Sequence, residues 1–359
     1  MHKRSGPGLA PFLPGPFSAH LMNAPHPPLT PSSAARYLPS MKNASPSSPP
    51  CPVPPSRILV SGLLNVETSV PVEGFPVTYV PVTYPDGTVR TAASGVALNL
   101  ACALAALGDA PSVLAPVAGD APSALVRRAL AEAGIPADGL VPILPETPLS
   151  VVLHAPGGAR RIYCDLKAAQ SAVFPPEVAR AAFAPSACPD LAILCNINYS
   201  RPLLPLARAA GVPVATDLHV VSDPDDAYDA DFIRAADILF LSHEGLPCAP
   251  ADFISALAAR SPARIIVVTQ GDAGATLWER ATGRTTHQPA TATRPVANTV
   301  GAGDACLAAF VHHWLRGDSP VDALLKAQLF ASWKTGESGG ARGFPAPGTY
   351  SDLLARFFR

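Results

Sequence analysis

Asn298-Thr-Val-Gly-Ala-Gly-Asp-Ala-Cys-Leu-Ala-Ala-Phe-Val-His-His-Trp-Leu-Arg-Gly317 is the stretch on which the reading of this chain turns. Gly301, Ala302 and Gly303 carry little or no side chain, so a loop built from them can bring several backbone N–H groups close to one anion. From Asp304 to Arg316 there is no Gly, no Pro and almost no polar residue, the pattern of a helix buried on most sides. Gly317 stops that helix. A tight loop feeding a helix N-terminus is an anion site, because unpaired N–H groups and the helix dipole both face the ligand. Asp304 falls in the first turn, where it can take a proton from an alcohol. Donors for a charged oxygen and a base for a hydroxyl thus lie within one turn, as phosphoryl transfer to an alcohol requires.

Taken alone, G-x-G-D is a short motif that also describes an ordinary turn with a helix cap. The wider stretch resembles the D-T-x-G-A-G-D motif of the PfkB, or ribokinase-like, carbohydrate kinases, and the small-residue helix after it is similar too. The resemblance implies that Asp304 is the catalytic base and that the amides of Gly301, Ala302 and Gly303 receive the transferred phosphoryl group. Asn298 departs from the pattern, which has Asp there. The implied fold is α/β: three layers, α/β/α, with a mainly parallel central sheet and a small β lid.

Composition narrows the alternatives. The chain has 359 residues, 48% of them hydrophobic, and a net charge of −1. A large core is available, and neither nucleic acid nor an acidic membrane surface is an indicated partner. No apolar run approaches the roughly 18 residues of a spanning helix. The 7 cysteines are scattered, without C-x-x-C, which suits reduced thiols in the cytoplasm and argues against a structural zinc site. His312 and His313 are adjacent and make a poor metal pair. Residues 1–56 hold 15 of the 43 prolines and no acidic residue. Such a segment builds no core, so a disordered extension or an over-extended start is expected ahead of a kinase domain at 57–359. Dense proline argues against a transit peptide.

Taken in order, Arg57–Gly62 reads as a buried first strand, with Asn65-Val66-Glu67 at its C-terminal end, where open α/β sheets bind ligands. The family's N-x-D here holds sugar hydroxyls, which implies substrate contacts for Asn65 and Glu67, Glu67 being one methylene longer than Asp. Ser69–Arg90 reads as strands outside the main sheet. With the hairpin Leu149–His154 and Arg160–Asp165 it forms the implied lid, at about 68–92 and 149–166, through which relatives often dimerise. Ser94-Gly95-Val96-Ala97-Leu98-Asn99 opens a helix and resembles G-G-x-x-x-N. Gly95 would let substrate approach the backbone. Asn99, costly in an apolar helix unless paired, needs a ligand or a buried partner. Beyond Asp190, alternating strands and helices imply a parallel sheet covered on both faces.

Ser242-His243-Glu244-Gly245 matches poorly the N-x-x-E that orients magnesium through water, leaving Glu244 as a candidate metal contact or a first-turn helix acid. Thr269-Gln270-Gly271-Asp272-Ala273-Gly274 looks like T-x-G-x-x-G. Thr269, Gly271 and Gly274, with Thr299 and with Gly340 of the Gly-rich loop Thr335–Pro345, are the implied ATP contacts. Arg160 and Arg161 could reach a phosphate or be solvated strand ends. A monovalent cation is in doubt because Asn298 lies in the motif associated with it.

Other nucleotide enzymes do not fit. No Gly-Lys pair exists for a P-loop, no buried strand precedes Gly301 for a dinucleotide fold, and the protein-kinase set is absent. The reading is an ATP- and Mg2+-dependent kinase acting on a hydroxyl of a sugar or sugar-like molecule. A nucleoside kinase and a catalytically silent sugar- or nucleotide-binding protein are the alternatives. Retention of Asp304 argues against the silent one.

Overall fold

The computed structural model describes residues 54–358. The extension expected over 1–56 lies almost wholly outside the described residues. The strands are β1 (Arg57–Ser61), β2 (Asn65–Pro71), β3 (Arg90–Ser94), β4 (Ala110–Val113), β5 (Ala115–Val117), β6 (Leu140–Pro142), β7 (Leu149–His154) and β8 (Arg160–Asp165). They continue as β9 (Leu191–Leu194), β10 (Val214–Val220), β11 (Ile238–Ser242), β12 (Ile265–Thr269), β13 (Ala275–Glu279) and β14 (Arg284–Gln288). The helices are α1 (Val96–Ala106), α2 (Ala121–Glu132), α3 (Pro176–Ala181), α4 (Leu203–Ala209), α5 (Ala230–Ala235), α6 (Pro250–Arg260), α7 (Ala302–Leu315), α8 (Pro320–Lys334) and α9 (Pro347–Phe357).

The main sheet has 8 strands in the order β14-β13-β12-β11-β10-β9-β1-β4. From β12 to β4 every pairing is parallel, and β13 and β14 add an antiparallel edge. Side chains alternate between two cores, as the period of two in a strand demands. Ile58, Val60, Ile193 and Val267 face the side covered by α1, α7 and α8; Leu59, Leu194, Ile266 and Val268 face the side covered by α4 and α6. This is the three-layer α/β/α arrangement. Chain order leaves β1 for β4 on one side and returns to β9 on the other. The crevice at the C-terminal ends of β1, β9 and β10 is therefore a topological switch point, the usual place for a ligand.

A second sheet, in the order β3-β2-β7-β8, forms the lid. Its hairpin β7–β8 has the bounds expected from sequence. The expectation of strands throughout Ser69–Arg90 is corrected: β2 ends at Pro71, β3 begins at Arg90, and residues 72–89 are exposed irregular chain. Pro76, Pro81 and Pro85 each lack the N–H that a ladder needs, which is reason enough. The apolar residues of that segment stay outside, Tyr79 at 88% exposure and Tyr84 at 82%.

Candidate active site

α7 begins where the sequence places it. Gly301 is its N-cap with φ +74°, and a side chain there would also strike the backbone of Gly340 at 2.7 Å. Only glycine meets both conditions. Asp304 sits in the first turn, and the helix is buried from Ala305 to His313. His312 and His313 have structural partners, Asp109 at 2.8 Å for one, Asp318 at 2.9 Å and Tyr350 at 2.8 Å for the other.

The Asp304 carboxylate accepts a hydrogen bond from Asn99 Nδ2 at 2.7 Å, across 205 residues of sequence. A carboxylate only accepts, so the amide must present its nitrogen. Asn99 thus has the buried partner it needed, and that partner is the candidate base. Its Oδ1 is buried without a donor, and so is Oδ1 of Asn65, whose Nδ2 donates to Ser150 Oγ at 2.8 Å. Buried orphan acceptors of this kind mark places where a donor is missing.

Burial pushes the Asp304 carboxyl up to about 6, and the nearby Asp217 carboxylate adds to the rise; Asn99, His219 and Lys334 oppose it. Asp217 and His219 escaped the sequence reading. Asp217 lies on β10 on the Gly303 side of the site, 4.0 Å from where a Gly303 side chain would begin. It accepts from the His219 amide at 2.8 Å, with the imidazole 3.5 Å from its second oxygen. His219 has φ +58°, a costly backbone state for a non-glycine residue and one that concentrates at functional sites. The available signal was a carboxylate ending a strand at the sheet's C-terminal edge.

Several of the site residues expected from sequence have partners within the chain. The Ala302 amide donates to the Thr299 carbonyl at 3.2 Å, so it serves the turn. Among the described residues no backbone carbonyl accepts from Gly301 or Gly303. Gly95, at φ +106°, is bare because a side chain would meet Leu63 O at 2.3 Å; its closeness is to the β1–β2 connection. A side chain on Gly340 would meet Asn99 Oδ1 at 2.5 Å, which puts this glycine beside the Asn99–Asp304 pair. Gly274 is bare for β14, since a side chain would strike Gln288 O at 2.0 Å. Thr269 and Gly271 flank the β12–β13 turn as expected, with Gly271 exposed.

Two departures from the family motifs meet each other: Ser94 Oγ donates to Glu67 Oε2 at 3.0 Å. Burial raises the Glu67 pKa, the Ser94 bond being the largest opposing influence. Glu244 stands exposed in a short turn, 3.7 Å from Arg160, whose guanidinium also donates to Thr299 Oγ1 at 3.0 Å. The lid hairpin thereby touches the loop that leads to α7.

A buried carboxylate beside a helix start, on a doubly covered and mainly parallel sheet, is a setting suited to a phosphotransferase acting on an alcohol. The sequence matches the pfkB family carbohydrate kinases over residues 56–347, and the chain belongs to that family. Among solved structures it is similar to a microbiome-derived acarbose kinase, Mak1, at 27% identity and TM-score 0.75, over 85% of this chain and 100% of that one. The fold is shared with ribokinase of Arabidopsis thaliana, complexed with ribose and ATP, at 21% identity and TM-score 0.67, over 84% of this chain and 99% of that one. It is shared equally with a nucleoside kinase of Burkholderia thailandensis, in complex with inosine, at 18% identity and TM-score 0.67, over 84% of this chain and 99% of that one. Among curated proteins, none matches the sequence.

Proposed function

We propose that the protein transfers the γ-phosphoryl group of ATP to a primary hydroxyl of a sugar or sugar-like polyol. The observation that carries this reading is the Asn99–Asp304 bond at the start of α7. It fixes a base one turn from the amides of Gly301 and Gly303. A carboxyl with a pKa near that of the medium is well matched to accepting a hydroxyl proton. Asp304 takes the proton as the alcohol oxygen attacks. The two amides stabilise the charge on the phosphoryl oxygens, a type of donor whose loss generally costs about 10²–10³ in rate. ATP lies by this reading along the β12–β13 turn, with Thr269, Gly271, Gly274 and Thr299 as contacts.

Among the described residues no cluster of His, Cys, Asp and Glu could cage a metal. Magnesium takes one or two carboxylates and relies on substrate phosphates for the rest. Asp217 and Glu244 are the carboxylates that would orient it through water, and it would neutralise charge on the phosphates. Asn65, Glu67 and Asn99 are assigned to the acceptor, whose hydroxyls supply the donors that the two orphan amide oxygens lack. A polyol meets that need, and so does the ribose of a nucleoside.

ADP release with Mg·ATP and a panel of sugars, polyols and nucleosides tests the reading, together with the mass of each product. A sugar or polyol gaining one phosphoryl group is the expected outcome. Exclusive use of nucleosides would move the acceptor class, and release with none of them would leave a silent binding protein.

A further inference from the structure

Lys334 is a fully buried lysine, 0% exposed, at the C-terminal end of α8, and the chemistry above makes no use of it. A buried ammonium is costly and persists where it does work as a charge or a donor. Its Nζ donates to the carbonyl oxygen of Val300, the residue before Gly301. Asp304, Glu67 and Glu337 favour the charge through space, while Arg294 and above all burial oppose it, leaving the pKa at about 8, so the side chain is a cation at neutral pH.

The loop around that carbonyl is strapped to the end of α8. Ala297 and Asn298 both donate from their amides to the Thr335 carbonyl, at 2.8 and 3.0 Å. The Val300 amide donates to Asn298 Oδ1 at 2.7 Å. The peptide between Val300 and Gly301 is the central unit of the turn that the Ala302 amide closes on the Thr299 carbonyl, and glycine at φ +74° lets that unit take either orientation. In a trans peptide the carbonyl and the following N–H point in opposite directions. Whatever holds Val300 O on one side therefore aims the Gly301 N–H to the other. That N–H is one of the two amides assigned to the transferred phosphoryl group.

We infer that Lys334 is a positioning residue, a built-in monovalent cation that locks the Val300–Gly301 peptide with its N–H turned into the anion hole. The inference rests on the kinase reading given above. Its consequence is that turnover needs no external monovalent cation to hold that carbonyl. Removing the ammonium frees that carbonyl and opens a space that a small cation can enter.

The test compares wild type with Lys334→Met in potassium, ammonium or tetramethylammonium chloride at equal ionic strength, using the best acceptor from the panel. Wild type should turn over alike in all three salts. Lys334→Met should lose about 10²–10³ in kcat, the loss expected for one oxyanion donor, with the acceptor KM little changed. Potassium or ammonium, but not tetramethylammonium, should restore part of the loss. Thermal melting establishes whether the variant is folded, and the wild-type salt comparison stands without it. Strong activation of wild type by potassium overturns the inference. So does a folded variant with wild-type kcat, or a loss that neither small cation recovers. If wild type releases no ADP with any acceptor, the kinase reading has failed, and Lys334 is then judged by binding. Calorimetry of Mg·ADP with aluminium fluoride, a mimic of the transferred group, should show weaker binding to Lys334→Met and recovery with potassium. Equal binding by both proteins overturns the inference there as well.

Discussion

Asp304 is held between opposing influences. Burial and Asp217 favour its neutral form, whereas the Asn99 donor, His219 and Lys334 favour the carboxylate. The balance near 6 makes it ionised at neutral pH but still basic enough to accept a proton. Two predictions belong to this scale. The pH profile of kcat/KM reports the free enzyme and should rise through about 6 as Asp304 ionises and fall above about 8 as Lys334 loses its proton. A profile flat across that window would contradict both assignments. The second concerns stability. A carboxyl whose folded pKa is raised costs nothing below its unfolded value, and the cost grows as pH rises toward about 6 and persists above it. Asp304→Asn should therefore raise the melting temperature above about pH 6 and change it little in acid, where wild type is already neutral.

Among the elements, the lid carries two of the departures from the family motifs. Glu67 on β2 and Ser94 on β3 are diagonal neighbours in an antiparallel pair, where Glu67 lies opposite Ala92 and Ser94 opposite Asn65, and the longer acid is accommodated by the hydroxyl that replaces a glycine. Each residue looks like an isolated anomaly in sequence; together they form one hydrogen bond. Ser94→Ala should raise the acceptor KM several-fold, in line with about 1 kcal/mol for a neutral donor to a part-buried acceptor. The double variant Glu67→Asp with Ser94→Gly should recover much of that loss, and an additive result in the cycle would deny the coupling. Arg160 on β8 links the lid to Thr299 and Glu244. As an exposed pair it adds little to stability. Its place beside the anion loop instead suits a phosphate contact, so Arg160→Ala should raise the KM for ATP by about tenfold, roughly a charge-assisted bond, at unchanged melting temperature. A lowered melting temperature with normal KM would reverse that account.

At the scale of the whole molecule, the layers were legible because apolar runs such as Arg264–Gln270 and the alternation of strands with helices leave few topologies open. The helix from Asp304 and the lid hairpin were legible for the same local reason. Residues 72–89 were misread because Val, Thr and Tyr favour strands while the interleaved prolines forbid the ladder. The edge strand β14 went unseen because Arg284, Thr285, Thr286, His287 and Gln288 carry no apolar pattern. Asp304 was visible beside its glycines, whereas Asp217, His219 and Lys334 come from other elements and meet it only in the fold. Gly95, Gly274 and Gly340 were recognised as special, but sequence does not say whether a bare backbone approaches a ligand or another strand. The role of Asp304 is tested most directly by ADP release from Asp304→Asn beside calorimetry of its Mg·ATP binding. Turnover should fall by about 10²–10⁴, as loss of a general base requires, with nucleotide affinity retained. A folded variant that phosphorylates its acceptor at the wild-type rate would contradict the central claim.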